Sequence, residues 1–200
     1  MESERDTFAR IQSSALSLIA TQGFAATGIR QIADGAGISV ASLYHYMGTK
    51  EDLLERMMRD SMQSLLSSAQ DAVEAASNPP AQLARLVDVH VRKHARDNML
   101  SLVADTELRS LSPDRRREIV KLRDAYESVW ASVISAGASS GVFKVPDVKL
   151  AIFAILGMCT GVVYWYSPDG RLSLDDISAA YVSMALSLLS RKGPTGRRKA

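Results

Sequence analysis

Only one cysteine, Cys159, occurs in the 200 residues, so the chain can form no internal disulfide, and nothing points to an oxidising compartment. Aromatics are scarce at 6%, while Leu, Ala, Ser and Val are plentiful; no segment reads as strand, and the composition leans to helix. The first residues, MESERDTF, are acidic and polar, unlike a secretory signal, so a cytoplasmic protein is expected. No repeat with a period of about 20–50 residues stands out. No nucleophile–base arrangement, phosphate-binding loop or carboxylate pair is visible, which removes the usual supports for an enzyme.

What is present is a 46% hydrophobic content, enough for a sizeable core in one large domain or in a small domain fused to a larger one. The net charge of +2 is unevenly spread. Residues 1–50 are neutral, with Arg5, Arg10, Arg30 and Lys50 against Glu2, Glu4, Asp6 and Asp34. The last ten residues hold Arg191, Lys192, Arg197, Arg198 and Lys199 with no acid, and are expected to be a disordered basic tail.

Helical periodicity and punctuation divide the chain. Phe8, Ile11, Ala15, Leu18 and Ile19 give a first helix, over about 5–22, an apolar face that Gly23 ends. Thr27 is placed to cap a second helix, 28–34, and Gly35-Ala36-Gly37 reads as a turn. Ser39 caps a third helix, 39–46. Thr49 with Asp52 forms a capping box in its Asp-containing form and opens a long helix towards residue 76. Asn78-Pro79-Pro80 breaks that helix, and further helices are expected over about 81–96 and 98–110. Ser112-Pro113 starts another, Pro146 opens a further one that takes in the seventeen-residue uncharged run from Leu150 to Tyr166, and Ser173 with Asp176 a last one to about 189.

The stretch IRQIADGAGISVASLYHYMGTK, residues 29–50, carries the strongest functional signal. Two short helices around a Gly-centred turn have the order of a helix-turn-helix, in which one helix braces the fold and the next enters a DNA groove. Val40, Ala41 and Ser42 are small enough to sit deep in a major groove, against thymine methyls or base edges. Tyr44 and His45 suit phosphate contacts, and Lys50, at the start of the next helix, could clamp one. A neutral segment is a poor polyelectrolyte ligand, so affinity should depend on helix-end amides, hydroxyls and two copies acting together.

Gly23, Thr27, Ile32-Ala33, Ala36-Gly37-Ile38-Ser39, Leu43-Tyr44 and Lys50-Glu51-Asp52-Leu53 resemble the N-terminal signature of TetR/AcrR-type transcriptional repressors. The resemblance implies an all-α homodimer of about nine helices, with an N-terminal helix-turn-helix domain (1–49) and a helical ligand-binding and dimerisation domain (50–190), followed by the tail 191–200. It assigns DNA reading to Val40, Ala41, Ser42, Tyr44 and His45, supported by Thr27, Arg30, Ser39, Tyr46 and Lys50. Ala41 departs from a common glycine, and Tyr46-Met47 from a common His-Phe pair.

The run 150–166 contains Gly157-x-x-x-Gly161. Its length and lack of a clear basic anchor argue against a membrane span, and the glycines suit close approach of two helices. The resemblance places a dimer interface on the last two long helices, with Phe153, Gly157, Gly161, Tyr181, Met184 and Leu188. His90 and His94, four apart, have the spacing of metal ligands, and Asp97 or Glu107 could add a carboxylate, but Arg92, Lys93 and Arg96 crowd them and no cysteine or third histidine lies nearby, so no metal or other cofactor is expected. They are instead candidates for a ligand cavity, with Met57, Met58, Leu102, Tyr126, Trp130, Met158 and Trp165, since methionines and aromatics make adaptable walls.

Glu107–Leu111, Arg117–Val120, Arg123–Glu127 and Trp165–Ser173 resemble TetR-type repressors of lipid and sterol breakdown. That resemblance implies a small apolar or acyl-coenzyme A effector, with Arg92, Arg96, Arg109 or Arg123 facing its phosphates. The expected partners are a palindromic double-stranded DNA operator, such an effector and a second copy of the chain. Two alternatives stand: a multidrug-type regulator sensing aromatic or cationic compounds, and a helical metal-dependent enzyme using His90 and His94.

Overall fold

A computed structural model describes residues 4–190; the expected basic tail lies outside the described residues. Among the described residues there are nine α-helices and no strand: α1 Glu4–Gln22, α2 Ile29–Ala36, α3 Val40–Met47, α4 Lys50–Glu74, α5 Pro79–Arg96, α6 Asn98–Thr106, α7 Pro113–Ser139, α8 Val148–Thr160 and α9 Leu174–Ser190. Two compact units result, one from the described part of Met1–Gln63 with Asp97–Leu122, the other from Ser64–Arg96 with the described part of Arg123–Ala200. The first unit therefore includes α6 and the start of α7 as well as α1–α3, and the expected division at residue 49 falls inside it.

In the first unit α1 buries Ile11, Ala15 and Ile19 at four-residue intervals, against Ile32, Ala33 and Ala36 of α2 and Leu43 and Met47 of α3. Met47 thus fills a core position. Gly23, at φ +82°, ends α1 with its N–H donating to the Ile19 carbonyl, as expected. Two local readings need correction. Gly28, not Thr27, precedes α2, and its N–H donates to the Gln31 side chain at 2.8 Å; the Thr27 hydroxyl donates back to the Gly23 carbonyl at 2.8 Å. Gly35 and Ala36 are helical, and the turn begins only at Gly37, φ +66°. Gly35 serves packing instead: a Cβ there would lie 2.3 Å from the Ser14 hydroxyl, which donates to the Ile32 carbonyl.

In the second unit Leu83, Leu86, Val87 and Val91 of α5 are buried, as are Trp130 and Ile134 of α7, Ile155 of α8 and Ala185 and Leu189 of α9, and α5 packs on α8 and α9. Phe143 lies so close to Gly137 that a Cβ there would meet its ring at 2.1 Å. α8 corrects the reading of 150–166 as one helix: Asp147, rather than Pro146, caps it by accepting from the Leu150 N–H, and the chain tightens to a 3-10 turn at Gly161–Tyr164. Among the described residues no helix is long and apolar enough to cross a membrane.

Candidate functional site

α3 presents its outer face to solvent. Ser39 caps it, its hydroxyl accepting from the Ser42 N–H at 3.0 Å, while Leu43 and Met47 anchor the inner side. Ala41, Ser42, Tyr44 and His45 are exposed, Tyr44 by 51%, and so are Ser39 and Arg30. Val40 and Tyr46 are half-buried and lean on the core, the Tyr46 ring meeting His45 edge-on at 5.6 Å. Thr27 is buried and acts inside the fold.

Lys50 is committed to the protein. Its Nζ donates to the carbonyls of Phe24 and Thr27, both at 2.7 Å, and sits 4.3 Å from the Phe24 ring centroid. An ammonium has three donors, so one is left for a phosphate. The main task of this side chain is to hold the α1–α2 loop against the start of α4. From α6 onward Glu107 joins in: Oε1 accepts from the Phe24 N–H at 3.2 Å and Oε2 from the Ser110 hydroxyl at 2.5 Å.

At the start of α4, Thr49 and Asp52 form the expected box: the Thr49 N–H donates to Asp52 Oδ2 at 2.7 Å, and the Asp52 N–H to Thr49 Oγ1 at 3.0 Å. The Thr49 hydroxyl, which donates to the same Oδ2 at 2.7 Å, then the Thr49 N–H and the Arg115 guanidinium lower the Asp52 pKa to about 2. Glu51 accepts from the Ser112 N–H at 2.6 Å, which lowers its pKa, and Arg115 Nη1 donates to Glu55 at 2.9 Å. Sequence reading missed this cluster because Arg115 sits among five consecutive charged residues, 114–118, that look alike until folded.

The second unit gathers four of the expected ligand residues. His90 and His94 stack at 3.9 Å; His90 Nδ1 is 2.9 Å from the Tyr126 hydroxyl, and its Nε2 is 3.0 Å from that of Thr160. Trp130 meets the rings of His90 and Tyr126 edge-on, at 6.0 and 6.1 Å. All four are buried. Burial, then the neighbouring His94, pushes the His90 pKa well below its ordinary value, and burial raises that of Tyr126. Trp130 Nε1 is buried with no hydrogen-bond partner, although it lies close enough to bias the Tyr126 phenol downward. A buried N–H left unpaired costs about 1–3 kcal/mol. Thr160 was the missed member; a hydroxyl in an uncharged run gives no signal of its own.

The other expected ligand residues lie elsewhere. Met57 and Met58 are in the first unit's core, and Leu102 is half-buried in the same unit. Met158 is half-buried on α8; Trp165 is half-exposed, stacks on Tyr181 and borders a depression of about 220 Å³ with Arg171, Leu172 and Ile177. Arg92 does not stand open to an anion: Asp88 and Asp175 each accept from it at 2.6 Å. No group of three or more His, Cys, Asp or Glu side chains among the described residues is placed to hold a metal ion. Phe153, Met184 and Leu188 are exposed on α8 and α9, Tyr181 is half-buried, and a Cβ on Gly157 or Gly161 would meet nothing within 4 Å.

Comparisons with known proteins agree with this geometry. Residues 11–57 match the model for bacterial regulatory proteins of the tetR family, and residues 76–189 that for the tetracyclin repressor-like C-terminal domain. The repressor KstR2 of Mycobacterium tuberculosis is 27% identical over 182 residues, 90% of each chain. Its structure, that of a ketosteroid transcriptional regulator, has a TM-score of 0.85 and covers 96% of this chain and 98% of its own. A tetR-family regulator from Rhodococcus RHA1 is 30% identical, with a TM-score of 0.86, 96% of this chain covered and 100% of its own. AibR, solved with isovaleryl coenzyme A and operator DNA, shares the fold at 24% identity, with a TM-score of 0.80, 89% of this chain covered and 97% of its own. The chain belongs to the tetR family of bacterial regulatory proteins: it is a DNA-binding helix-turn-helix repressor and not an enzyme.

Proposed function

We propose that the chain is a ligand-responsive cytoplasmic repressor that binds a palindromic operator as a homodimer and is released by a small apolar or acyl-coenzyme A-type effector. The observation that carries the DNA-reading part is the split of α3, with Leu43 and Met47 buried while Ser39, Ala41, Ser42, Tyr44 and His45 face out. Small residues at the start of that face let the helix approach base edges, and the two aromatic polar side chains beyond them reach the backbone. Helix-end amides and pairing of two heads make up for the neutral charge.

Pairing is supported by the apolar surface of α8 and α9. Leu150 is 65% exposed and Met184 54%, with Phe153 and Leu188 beside them in the same class and two unobstructed glycines on α8 and just after it. Exposed apolar residues of this size on neighbouring helices mark an association face.

The effector reading rests on the His90–Tyr126–Trp130–Thr160 cluster. An apolar interior with an unpaired indole N–H and two rotatable hydroxyls offers a carbonyl oxygen, such as that of a thioester, a donor that the protein leaves unused. AibR and its isovaleryl coenzyme A complex is the precedent among similar folds. The effector must bind the DNA-incompetent state more tightly, since equal affinity for both states shifts nothing.

The test is to titrate saturated, branched and steroid-derived acyl-coenzyme A thioesters, with aromatic cations as controls, against a complex of the protein with a duplex it selects from a random pool. Release by thioesters, weakened in Trp130→Phe, is expected. Release by the cations alone would replace this effector class with the multidrug type.

A further inference from the structure

The acidic start of α4 is an awkward neighbour for DNA. α4 begins three residues after the last residue of α3, across Gly48 and Thr49, and its first six residues include Glu51, Asp52 and Glu55. A duplex with α3 in its groove carries phosphates beside the elements that adjoin α3. Residues 1–50 have no net positive charge to offset three carboxylates there, and Lys50 spends two of its donors on carbonyls.

Arg115, in the first turn of α7, meets all three: Nη2 pairs with Asp52, Nη1 donates to Glu55 at 2.9 Å, and Nε lies 3.7 Å from Glu51. Arg59 also pairs with Glu55, and the Ser112 N–H fixes Glu51 at the start of α7. The guanidinium is about one-third exposed, as are Glu51 and Asp52, so its charge is felt at the surface.

We propose that Arg115 is a positioning residue for DNA binding, the counter-charge that holds the carboxylates of Glu51, Asp52 and Glu55 and cancels their repulsion of an approaching duplex. It touches no base. It sets the field at the end of the reading head and orients the first turn of α4, from which Lys50 holds the loop before α2. The inference rests on DNA recognition by α3 and is independent of the effector and of pairing.

A structural role and an electrostatic one separate by salt. Exposed charges are screened over about 10 Å at 0.1 M ionic strength and about 3 Å at 1 M. Affinities of the whole protein are measured, across salt, for a duplex that the wild type selects from a random pool and for an unselected duplex of the same length. Arg115→Gln should fold, since the Ser112–Glu51 hydrogen bond and the buried Leu111 and Ile119 remain. It should lose roughly tenfold in affinity for both duplexes at low salt, with the loss shrinking as salt rises.

Arg115→Lys should stay near wild type. Glu51→Gln with Glu55→Gln should restore the Arg115→Gln protein and, placed in the wild type, should raise affinity several-fold. That pair spares the Asp52 cap and leaves an acceptor for the Ser112 N–H. A loss equal at every salt concentration, or no gain from the glutamine pair, would overturn the proposal. If Arg115→Gln fails to fold, the glutamine pair in the wild type alone decides it. Failure of α3 as reader would show differently, as no preference for the selected duplex over the unselected one.

Discussion

Tyr44 has half its surface in solvent and no role in the core, so Tyr44→Ala should weaken operator binding several-fold, by roughly 1 kcal/mol or more, while the thermal midpoint stays put. Titration of the selected duplex beside thermal melting checks both halves. Lys50 should behave differently: Lys50→Met strips the Phe24 and Thr27 carbonyls of a charged donor and should cost about 1–3 kcal/mol of stability as well as affinity. Unchanged stability in denaturant would show that those two hydrogen bonds contribute little.

His90 makes a pH prediction. Burial keeps it neutral in the fold, whereas in the unfolded chain it takes a proton near its ordinary value of about 6.5. Below that pH the unfolded state binds more protons, so stability is full above about 6.5 and falls as the pH drops through and below it. Asp52, lowered to about 2, keeps its charge throughout that window and adds no slope there. Thermal midpoints from pH 7.5 to 5 should decline for the wild type and decline less for His90→Gln; parallel curves would show that His90 is not the group responsible. The sampled pH values are about one unit either side of the ordinary histidine value or slightly more.

At the scale of elements, glycines mark where helices are forced together. Gly137→Ala would drive a Cβ into the Phe143 ring and should destabilise the second unit by about 1–3 kcal/mol, read from denaturant midpoints. The sequence carries no warning of this, because a glycine near a helix end looks like a terminator until the partner ring is located. The elements themselves were legible: apolar spacing and caps at Ser39, Thr49, Ser112 and Ser173 place most boundaries within two residues of where they lie.

The misses have local causes. Thr27 has a hydroxyl suited to a cap but spends it on Gly23, and Gln31 takes over the Gly28 N–H. Residues 150–166 have no charge or proline to mark the tightening at Gly161. Of the site, the exposed face of α3 was readable because its pattern is local. The joining of His90 with Tyr126 and Thr160, 36 and 70 residues away, and of Arg115 with Glu51, was not, because pairings at such separations leave no periodic trace.

For the whole molecule, the proposed repression relies on two reading heads held at a fixed spacing, and the apolar face of α8 and α9 is the means proposed for holding them. Gly157→Leu adds a side chain where the single chain has open space, so the fold should tolerate it while pairing suffers. Sedimentation at micromolar concentration should show a shift towards monomer with an unchanged helical circular dichroism signal; an unshifted dimer would move the interface off that part of α8.

The central claim, that the outer face of α3 reads DNA for a paired protein, is tested most directly by selecting duplexes from a random pool with the wild type and with the double variant Tyr44→Ala, His45→Ala. The wild type should enrich a palindrome whose half-sites lie one helical turn, about 34–36 Å, or a multiple of it apart, and the variant should lose that enrichment while remaining folded. Enrichment of the same palindrome by both proteins, or of a sequence with no two-fold symmetry by the wild type, would contradict it.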